Sequence, residues 1–356
     1  MSRPSLLRHY REFLPVGPKT PELTLGEGFT PLVRSRHLGP RLGLQNLYFK
    51  FEGANPTGSF KDRGMVVAVA KALEEGARGV VCASTGNTSA SAAAYAAYAG
   101  LPAVVLVPAG GVAAGKLLQA VAYGAQVFEV RATFDRALEA AVRLATDAGL
   151  RLVNSLNPHR LAGQKTAAFE VVDELGDAPD YLFLPVGNAG NISAYWLGFK
   201  EYLAAGRSTK LPRLAGFQAA GAAPIVRGHP VPNPETVASA IQIGHPANWA
   251  AALQARDESG GIIEAVTDDE ILAARRLLAE LEGLFVEPAS AAGVAGLVRF
   301  RRLIADPAAA VVCVLTGSGL KDPAPGFDLE SRVRQVEELG EILKALDLEV
   351  LPRSSG

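Results

Sequence analysis

A lysine lies at the boundary between a predicted turn and a predicted helix. Residues 55–64 read Asn-Pro-Thr-Gly-Ser-Phe-Lys-Asp-Arg-Gly, and the apolar run 65–73 predicts the body of a helix that begins at Lys61. The positive end of a helix dipole disfavours a charged ammonium, so we expect a lowered pKa for Lys61. A free amine is what Schiff-base formation requires, which makes Lys61 a candidate catalytic residue. A solvated lysine in a first helical turn is the alternative interpretation.

A second loop has the composition of a carboxylate site. Residues 84–89 read Ser-Thr-Gly-Asn-Thr-Ser and follow a predicted strand at 79–83. Backbone amides at a helix start, together with the hydroxyls of Ser84, Thr85 and Thr88, can hold a carboxylate. The alternative is an ordinary helix cap, because Ser, Thr and Asn cap helices routinely.

A glycine-containing loop and a threonine follow two further predicted strands. The loop after strand 181–186 comprises Gly187, Asn188, Ala189, Gly190 and Asn191. Glycines let the backbone approach an anion, and the loop lacks the Lys-Ser/Thr ending of a nucleotide P-loop, so a single compact phosphate fits. Thr316 follows strand 310–315 and can offer a flat ligand one neutral hydrogen bond. An ordinary glycine turn is the alternative at both places.

Polar and cationic residues also follow the remaining strands of the first half. Asn154, Ser155 and Arg160 come after strand 151–154, and Lys116 comes after strand 103–107. Taken singly, each of these cations is more readily explained as a solvated surface charge.

Strand and helix patterns alternate along the chain, which predicts βαβ units and parallel sheets. Strands are predicted at 47–52, 79–83, 103–107, 126–130, 151–154, 181–186, 213–218, 262–266 and 310–315, and helices at 88–99, 113–123, 134–148, 192–204, 268–282 and 289–304. Because ligands bind at the carboxyl ends of such strands, the loops above converge on one site. The proline-rich stretch 224–246 is predicted to be a surface excursion.

Composition limits the possible functions. The 356 residues suffice for two domains, and 35 Lys+Arg against 36 Asp+Glu give no pull toward nucleic acid or an anionic membrane. The uncharged stretch 80–115 is broken by Gly and Pro, so we interpret it as strand, helix and strand instead of a membrane span. Cys82 and Cys313 lie in apolar strand-like runs, which argues against a disulfide or a metal site. With no apolar stretch of signal-peptide length at the N-terminus, these features predict a cytoplasmic location.

These motifs together resemble the fold-type II pyridoxal-phosphate enzymes, and among them the threonine synthase family. The resemblance extends from about residue 28 to residue 319. It rests on the segments at 55–63, 84–88 and 187–191, on Glu-Pro-Ala-Ser at 287–290 and on Leu-Thr-Gly at 315–317, which occur in the family's order. The resemblance implies two α/β domains with parallel-rich sheets and the cofactor in the cleft between them. Residues 1–52 and 155–356 would form the larger domain, and 53–154 the smaller, mobile one. It also implies a homodimer.

The resemblance further implies residue roles. Lys61 would hold pyridoxal phosphate covalently and act as the base, Asn87 would bond the cofactor's 3′-oxygen, residues 187–191 would bind its phosphate, and Thr316 would meet its ring nitrogen. Ser84, Thr85 and Thr88 would hold the substrate carboxylate, and the substrate phosphate would contact Lys116, Asn154, Ser155 and Arg160. Glu287 begins a family motif but receives no role. The implied reaction converts O-phospho-L-homoserine and water to L-threonine and phosphate.

Two alternatives remain open from the sequence. A serine/threonine dehydratase or a cysteine synthase has the same fold but needs no second phosphate site, so Lys116 and Arg160 discriminate. A non-catalytic pyridoxal-phosphate carrier would keep Lys61 and the loop at 187–191 but would need no substrate loop.

Overall fold

Strands and helices alternate along the chain in the computed structural model, which describes residues 4–84, 86–108, 114–131 and 134–323. The strands are β1 (Leu32–Arg34), β2 (Asn46–Phe51), β3 (Val80–Ala83), β4 (Ala103–Pro108), β5 (Gln126–Val130), β6 (Arg151–Leu152), β7 (Tyr181–Pro185), β8 (Arg213–Ala219), β9 (Ile262–Val266) and β10 (Ala310–Leu315). The α-helices are α1 (Leu6–His9), α2 (Leu38–Arg41), α3 (Lys61–Glu74), α4 (Asn87–Tyr98), α5 (Ala114–Ala122), α6 (Phe134–Asp147), α7 (Pro158–Gln164), α8 (Thr166–Leu175), α9 (Gly190–Ala204), α10 (Pro224–Arg227), α11 (Trp249–Glu258), α12 (Asp268–Glu282) and α13 (Pro288–Arg299).

The strands form two separate sheets. One has six strands in the order β1-β2-β10-β7-β8-β9, and the other has four in the order β5-β4-β3-β6. Every pairing is parallel except that of β1 with β2, which confirms the predicted α/β class with parallel-rich sheets. Cys82 lies in β3 and Cys313 in β10, so the two buried free thiols belong to different sheets.

Both faces of the six-stranded sheet are covered, as expected for parallel strands. Successive side chains of β7 point to opposite faces. Leu182 and Leu184 belong to one hydrophobic core with Phe199 of α9, whereas Phe183 belongs to a second core with Val294 of α13. This alternation fixes α9 on one face and α13 on the other. α9 begins just beyond the carboxyl end of β7, and α13 begins beside the residues that follow β10.

The four-stranded sheet is covered in the same way. Cys82 of β3 packs in a core with Ala92 of α4, while Val81 packs with Ala137 and Ala141 of α6. The uncharged stretch therefore folds as β3, α4 and β4, as predicted. No helix among the residues described is long and apolar enough to cross a bilayer.

A glycine contact between α3 and α7 brings two candidate residues together. A Cβ atom on Gly64 would lie 2.5 Å from the carbonyl oxygen of Arg160, and one on Gly163 would lie 2.0 Å from that of Arg63. Only residues without a side chain permit this backbone approach. The crossing places Lys61, at the start of α3, beside the N-terminal part of α7.

We expect Gly163→Ala to destabilise the protein, because the added methyl would overlap the Arg63 carbonyl and the two helices would have to separate. Overpacking of this kind costs about 1–3 kcal/mol, which lowers the urea midpoint of unfolding. Gly17→Ala is the matched control, since a Cβ there meets nothing within 4 Å and its φ is not positive. Equal midpoints for the two variants would contradict the proposed close approach.

The proline-rich stretch 224–246 is exposed over much of its length, as predicted for a surface excursion, but part of it packs beside the site. It contains α10 and a 3-10 turn at Ser239–Ile241, and it buries Ile225 and Ile241. A Cβ on Gly187 would lie 2.9 Å from the Cα of Ile241, so the segment packs directly against the loop after β7. Prolines predict turns, but they carry no information about what those turns pack on.

Candidate active site

A cavity of about 200 Å³ lies where strands of both sheets end. Its lining includes the predicted residues Lys61, Ser84, Asn87, Thr88, Asn154, Ser155, Arg160, Gly187, Asn188, Ala189, Gly190, Asn191 and Thr316. A wider cleft of about 1570 Å³ adjoins it and shares Asn87, Asn188 and Glu287. Thr85 and the side chain of Lys116 lie outside the described residues, so these two predictions have no structural counterpart here.

Backbone hydrogen bonds hold the lysine loop against the end of β10. The amide of Phe60 donates to the carbonyl of Thr316 at 3.0 Å, and the amide of Ser318 donates to the carbonyl of Gly58 at 2.8 Å. Lys61 is the first residue of α3, as the sequence predicts. These bonds place Lys61 and Thr316 on the same wall of the cavity although 255 positions separate them in the chain.

The amine of Lys61 has the lowered pKa that the sequence predicts, but the main cause is different. Burial, assisted by the charge of Arg160, lowers the pKa of Lys61 to about 7 against the opposing effect of Glu287. The Nζ atom lies 4.4 Å from the centre of the Phe60 ring. The sequence predicts a shift caused by the helix dipole, whereas in the structure the loss of hydration is the larger effect, because a poorly hydrated ammonium is costly.

The residue after Lys61 shapes the loop before it. Asp62 accepts hydrogen bonds from the Thr57 amide at 2.7 Å, from the Thr57 hydroxyl at 2.6 Å and from the Ser91 hydroxyl at 2.6 Å. Burial raises the pKa of Asp62 to about 6 against the opposing effect of these bonds. Asp62 therefore braces the turn that presents Lys61, a role that the sequence analysis did not assign.

Arg63 anchors the same helix from its other side. It is completely buried and contacts Glu52 (Nε to Oε2, 2.7 Å) and Glu170 (Nη1 to Oε1, 2.5 Å), while Lys50 lies 2.9 Å from Glu170. Burial acts to raise the pKa of Glu170, but the charges of Arg63 and Lys50 prevail and hold it at about 2. This ion cluster joins β2, α3 and α8 and fixes the orientation of α3.

The loop at 187–191 has the features of a phosphate site. Ala189 adopts a left-handed conformation (φ 61°) immediately before α9, a helix of 15 residues whose first amides lack partners within the helix. The Nδ2 atom of Asn191 is buried without a hydrogen-bond partner. An unpartnered donor at a helix N-terminus fits a phosphate, which accepts such hydrogen bonds.

The side chain of Asn188 holds this loop in place. Its Oδ1 accepts from the amide of Ala247 at 2.7 Å, and its Nδ2 donates to the hydroxyl of Ser155 at 3.0 Å. The side chain therefore joins the 187–191 loop to the residues after β6. Backbone amides, and not this side chain, remain available for a phosphate, consistent with the role predicted for Asn188.

Arg160 is a buried cation with spare donors. Its side chain is 1% exposed, and Nη1 donates to the carbonyl of Val153 at 3.3 Å. Nε and Nη2 have no partner among the residues described, and burial lowers the pKa of the guanidinium to about 10. A buried charge without a counter-ion is costly, so this arrangement fits an anionic group in the cavity. Asn154 and Ser155 line the same cavity.

Thr316 presents a neutral hydroxyl at the end of β10. Its Oγ1 lies 2.8 Å from the hydroxyl of Ser290, which also accepts from the amide of Gly317 at 2.8 Å. Ser290 thus sets the rotamer of Thr316. A hydroxyl in this place matches the predicted contact with a ring nitrogen.

The loop at 84–89 meets a carboxylate that the sequence analysis left without a role. Ser84 accepts from the amide of Gly86 at 3.3 Å, and Thr88 is buried at the start of α4. Asn87 donates from Nδ2 to both oxygens of Glu287, at 3.0 and 3.1 Å. The signal for Glu287 was present in the motif at 287–290, but the motif alone did not show which way the side chain points.

Known proteins with similar sequences and folds identify the family of this chain. A family model described as "Pyridoxal-phosphate dependent enzyme" matches residues 23–317. The threonine synthase of Halalkalibacterium halodurans is 58% identical over 89% of this chain and 90% of that protein, and that of Synechocystis sp. is 57% identical over 89% and 83%. Maize serine racemase superimposes with a TM-score of 0.71 at 22% identity over 89% of this chain and 92% of that chain, and so shares the fold. The chain therefore belongs to the pyridoxal-phosphate dependent enzymes and, within them, to the threonine synthase family of lyases.

Proposed function

We propose that the chain converts O-phospho-L-homoserine and water to L-threonine and phosphate by γ-elimination and β-addition. The observation that carries the proposal is Arg160, a buried residue that lines the same cavity as the 187–191 loop and has two nitrogens without a partner among the described residues. The loop accounts for one phosphate, that of the cofactor. A second buried cationic site suits a substrate that carries a phosphate of its own.

The residues of the cavity fit pyridoxal phosphate. Lys61 supplies an amine with a lowered pKa, residues 187–191 supply amides and the free Asn191 donor, and Thr316 supplies a neutral hydroxyl for the ring nitrogen. When bound, the cofactor supplies an electron sink that acidifies protons near the substrate nitrogen. A hydroxyl at Thr316 does not hold a proton on the ring nitrogen, which suits elimination and replacement at Cβ and Cγ.

The proposed proton transfers belong to Lys61. An amine with a pKa of about 7 exchanges a proton readily near neutral pH, so Lys61 Nζ can remove the Cα proton and then a Cβ proton of the substrate. Ser84, Thr85 and Thr88 hold the substrate carboxylate at the start of α4. These contacts orient the Cα proton toward Lys61 and keep the amino acid from turning in the cavity.

The leaving phosphate is bound by Arg160 together with Lys116, Asn154 and Ser155. Arg160 donates from Nε and Nη2, the two nitrogens that have no partner in the part of the chain that the structure describes. Charge neutralisation at the departing oxygen lowers the barrier to elimination from Cγ. After the phosphate has gone, the two protons taken up by Lys61 return to the substrate, one to Cγ and one to Cα. Water supplies the hydroxyl at Cβ, and its remaining proton leaves with the phosphate.

An assay of products tests this function directly. With purified protein, pyridoxal phosphate and O-phospho-L-homoserine, we expect inorganic phosphate and threonine in equal amounts. Release of ammonia and an oxo acid from serine or threonine, with no phosphate release from O-phospho-L-homoserine, would instead indicate the dehydratase. Formation of cysteine when sulfide and an O-acylated serine are supplied would indicate cysteine synthase. A carrier would bind the cofactor and turn over none of these substrates.

We also propose the domain division, assembly and location that the resemblance implies. Residues 53–154 would move as a unit against 1–52 and 155–356 and close the cavity over the substrate; in support, the four-stranded sheet falls wholly within 53–154. The homodimer rests on the family resemblance, and sedimentation of the purified protein tests it. The cytoplasmic location is supported by the two free, buried thiols, which suit a reducing compartment.

A further inference from the structure

Glu287 occupies a helix-cap position without capping the helix. It precedes Pro288 at the start of α13, and its side chain makes no hydrogen bond to that helix. The residue is 5% exposed and lines both the cavity and the adjoining cleft. Burial of a charged carboxylate costs free energy unless neighbouring groups stabilise the charge, so the groups around Glu287 must supply that stabilisation.

The contacts of Glu287 hold its carboxylate in one place. The backbone amide of Glu287 donates to the Gly317 carbonyl at 3.1 Å, and Arg275 Nε donates to the carbonyl of Val286 at 2.7 Å. A Cβ on Gly317 would lie 2.5 Å from Oε1, so the carboxylate occupies space that only glycine leaves free. In this position both carboxylate oxygens accept from Nδ2 of Asn87.

The charges around Glu287 come from three elements. The carboxylate is attracted by Lys61 at the start of α3 and by Lys321 in the turn after β10, and it is repelled by Asp322. Arg275 of α12 also interacts electrostatically with Glu287. Lys321 is already engaged, since its Nζ donates to the Thr57 carbonyl at 2.7 Å and to Gln119. Among the described residues, two charges affect Lys61 appreciably, the repulsive Arg160 and the attractive Glu287.

We propose that Glu287 is a positioning residue that holds the Asn87 amide and supplies the negative counter-charge of Lys61. The proposal rests on the function proposed for Lys61 and Asn87. One N–H of the Asn87 amide stays on Glu287, and this fixes the direction of the other toward the cavity. The carboxylate also offsets part of the repulsion between Lys61 and Arg160.

The sign of the electrostatic effect follows from the charges. A nearby anion favours the ammonium form of Lys61 and so raises its pKa, whereas burial and Arg160 lower it. Removing the charge of Glu287 therefore lowers the pKa of Lys61 further. Burial raises the pKa of Glu287, and the hydrogen bond from Asn87 limits this rise. Asn87 therefore helps to keep the carboxylate of Glu287 ionised.

The test is the pH profile of Lys61 reactivity in Glu287→Gln, measured on the full chain after its cofactor has been removed. Reductive methylation follows the fraction of free amine, and mass spectrometry of the Lys61 peptide gives the rate at each pH. For the wild-type chain we expect a midpoint at about pH 7. For Glu287→Gln we expect it about one unit lower, so that labelling at pH 6 is about fivefold faster.

Glu282→Gln is the matched control. Glu282 is a partly buried carboxylate. It accepts hydrogen bonds from the backbone amides of Arg36, His37 and Leu38. None of these four residues lines the cavity. Its profile should match the wild type. A Glu287→Gln profile that superimposes on the wild type, or shifts upward, would overturn the proposal.

Asn87→Ala keeps the proposal testable if Glu287→Gln does not fold. Without the Asn87 bond, Glu287 takes up its proton at higher pH, so the midpoint of Lys61 should move down as well, by less than in Glu287→Gln. No shift, or an upward one, again overturns the proposal. The labelling needs no turnover. A chain that releases no phosphate from O-phospho-L-homoserine would therefore refute the proposed function without changing this result.

Discussion

Lys61→Ala should reduce phosphate release from O-phospho-L-homoserine by at least about 10⁴-fold, because one side chain supplies both the covalent attachment and the base. No other amine can replace it among the described residues that line the 200 Å³ cavity, where the remaining cation is Arg160. Cofactor should still bind, since the loop at 187–191 and Thr316 are untouched. Release of phosphate and acid-extractable cofactor content are the two measurements.

Lys71→Ala is the control for Lys61→Ala. Lys71 lies on the same helix and pairs with Glu74 at 2.7 Å, away from the cavity, so its loss tests for general damage to α3. It should retain wild-type turnover. A Lys61→Ala variant within tenfold of the wild type would show that the reaction does not use this lysine.

The parts of the site predicted from sequence share one property: each is a short loop that follows a strand of a parallel sheet. Topology brings such loops together, so the loops at 84–89 and 187–191, and Thr316, could be placed on one cavity before any contact was known. The family, the cofactor and the α/β class follow from the same segments and are confirmed. The residue roles stay predictions until the variants are measured.

What the sequence did not reveal depends on long-range contacts. In the sequence, Arg63 is one of several charged residues in the first turn of a predicted helix. Its burial depends on ion pairs with Glu52 and Glu170, which lie on other elements. The stretch 224–246 reads as turns, and its packing against Gly187 appears only in three dimensions. The lowered pKa of Lys61 was predicted for the wrong main reason, because burial depends on how the chain folds around the residue.

Arg160→Leu should lower kcat/KM for O-phospho-L-homoserine by roughly 30-fold to over 1,000-fold. Loss of one partner from a buried charge pair costs about 2–5 kcal/mol, and about 1.4 kcal/mol corresponds to a factor of ten. Turnover of serine or threonine, which carry no phosphate, should fall far less. Cofactor content should not change, since the cofactor's phosphate is assigned to residues 187–191.

The stability of Arg160→Leu separates a ligand-binding role from a structural one. In the chain without ligand, Nε and Nη2 of Arg160 are buried without partners among the described residues, so an apolar side chain of similar reach should leave the urea midpoint unchanged or raise it.

Arg151→Leu is the control for the kinetic effect of Arg160→Leu. The side chain of Arg151 is 45% exposed and pairs with Glu75 outside the cavity, so its loss should leave the turnover of both substrates unaffected. The decisive quantity is the loss of kcat/KM with the phosphorylated substrate divided by the loss with the phosphate-free one. A ratio near one for both Arg160→Leu and Lys116→Ala would refute the second phosphate site and favour the dehydratase.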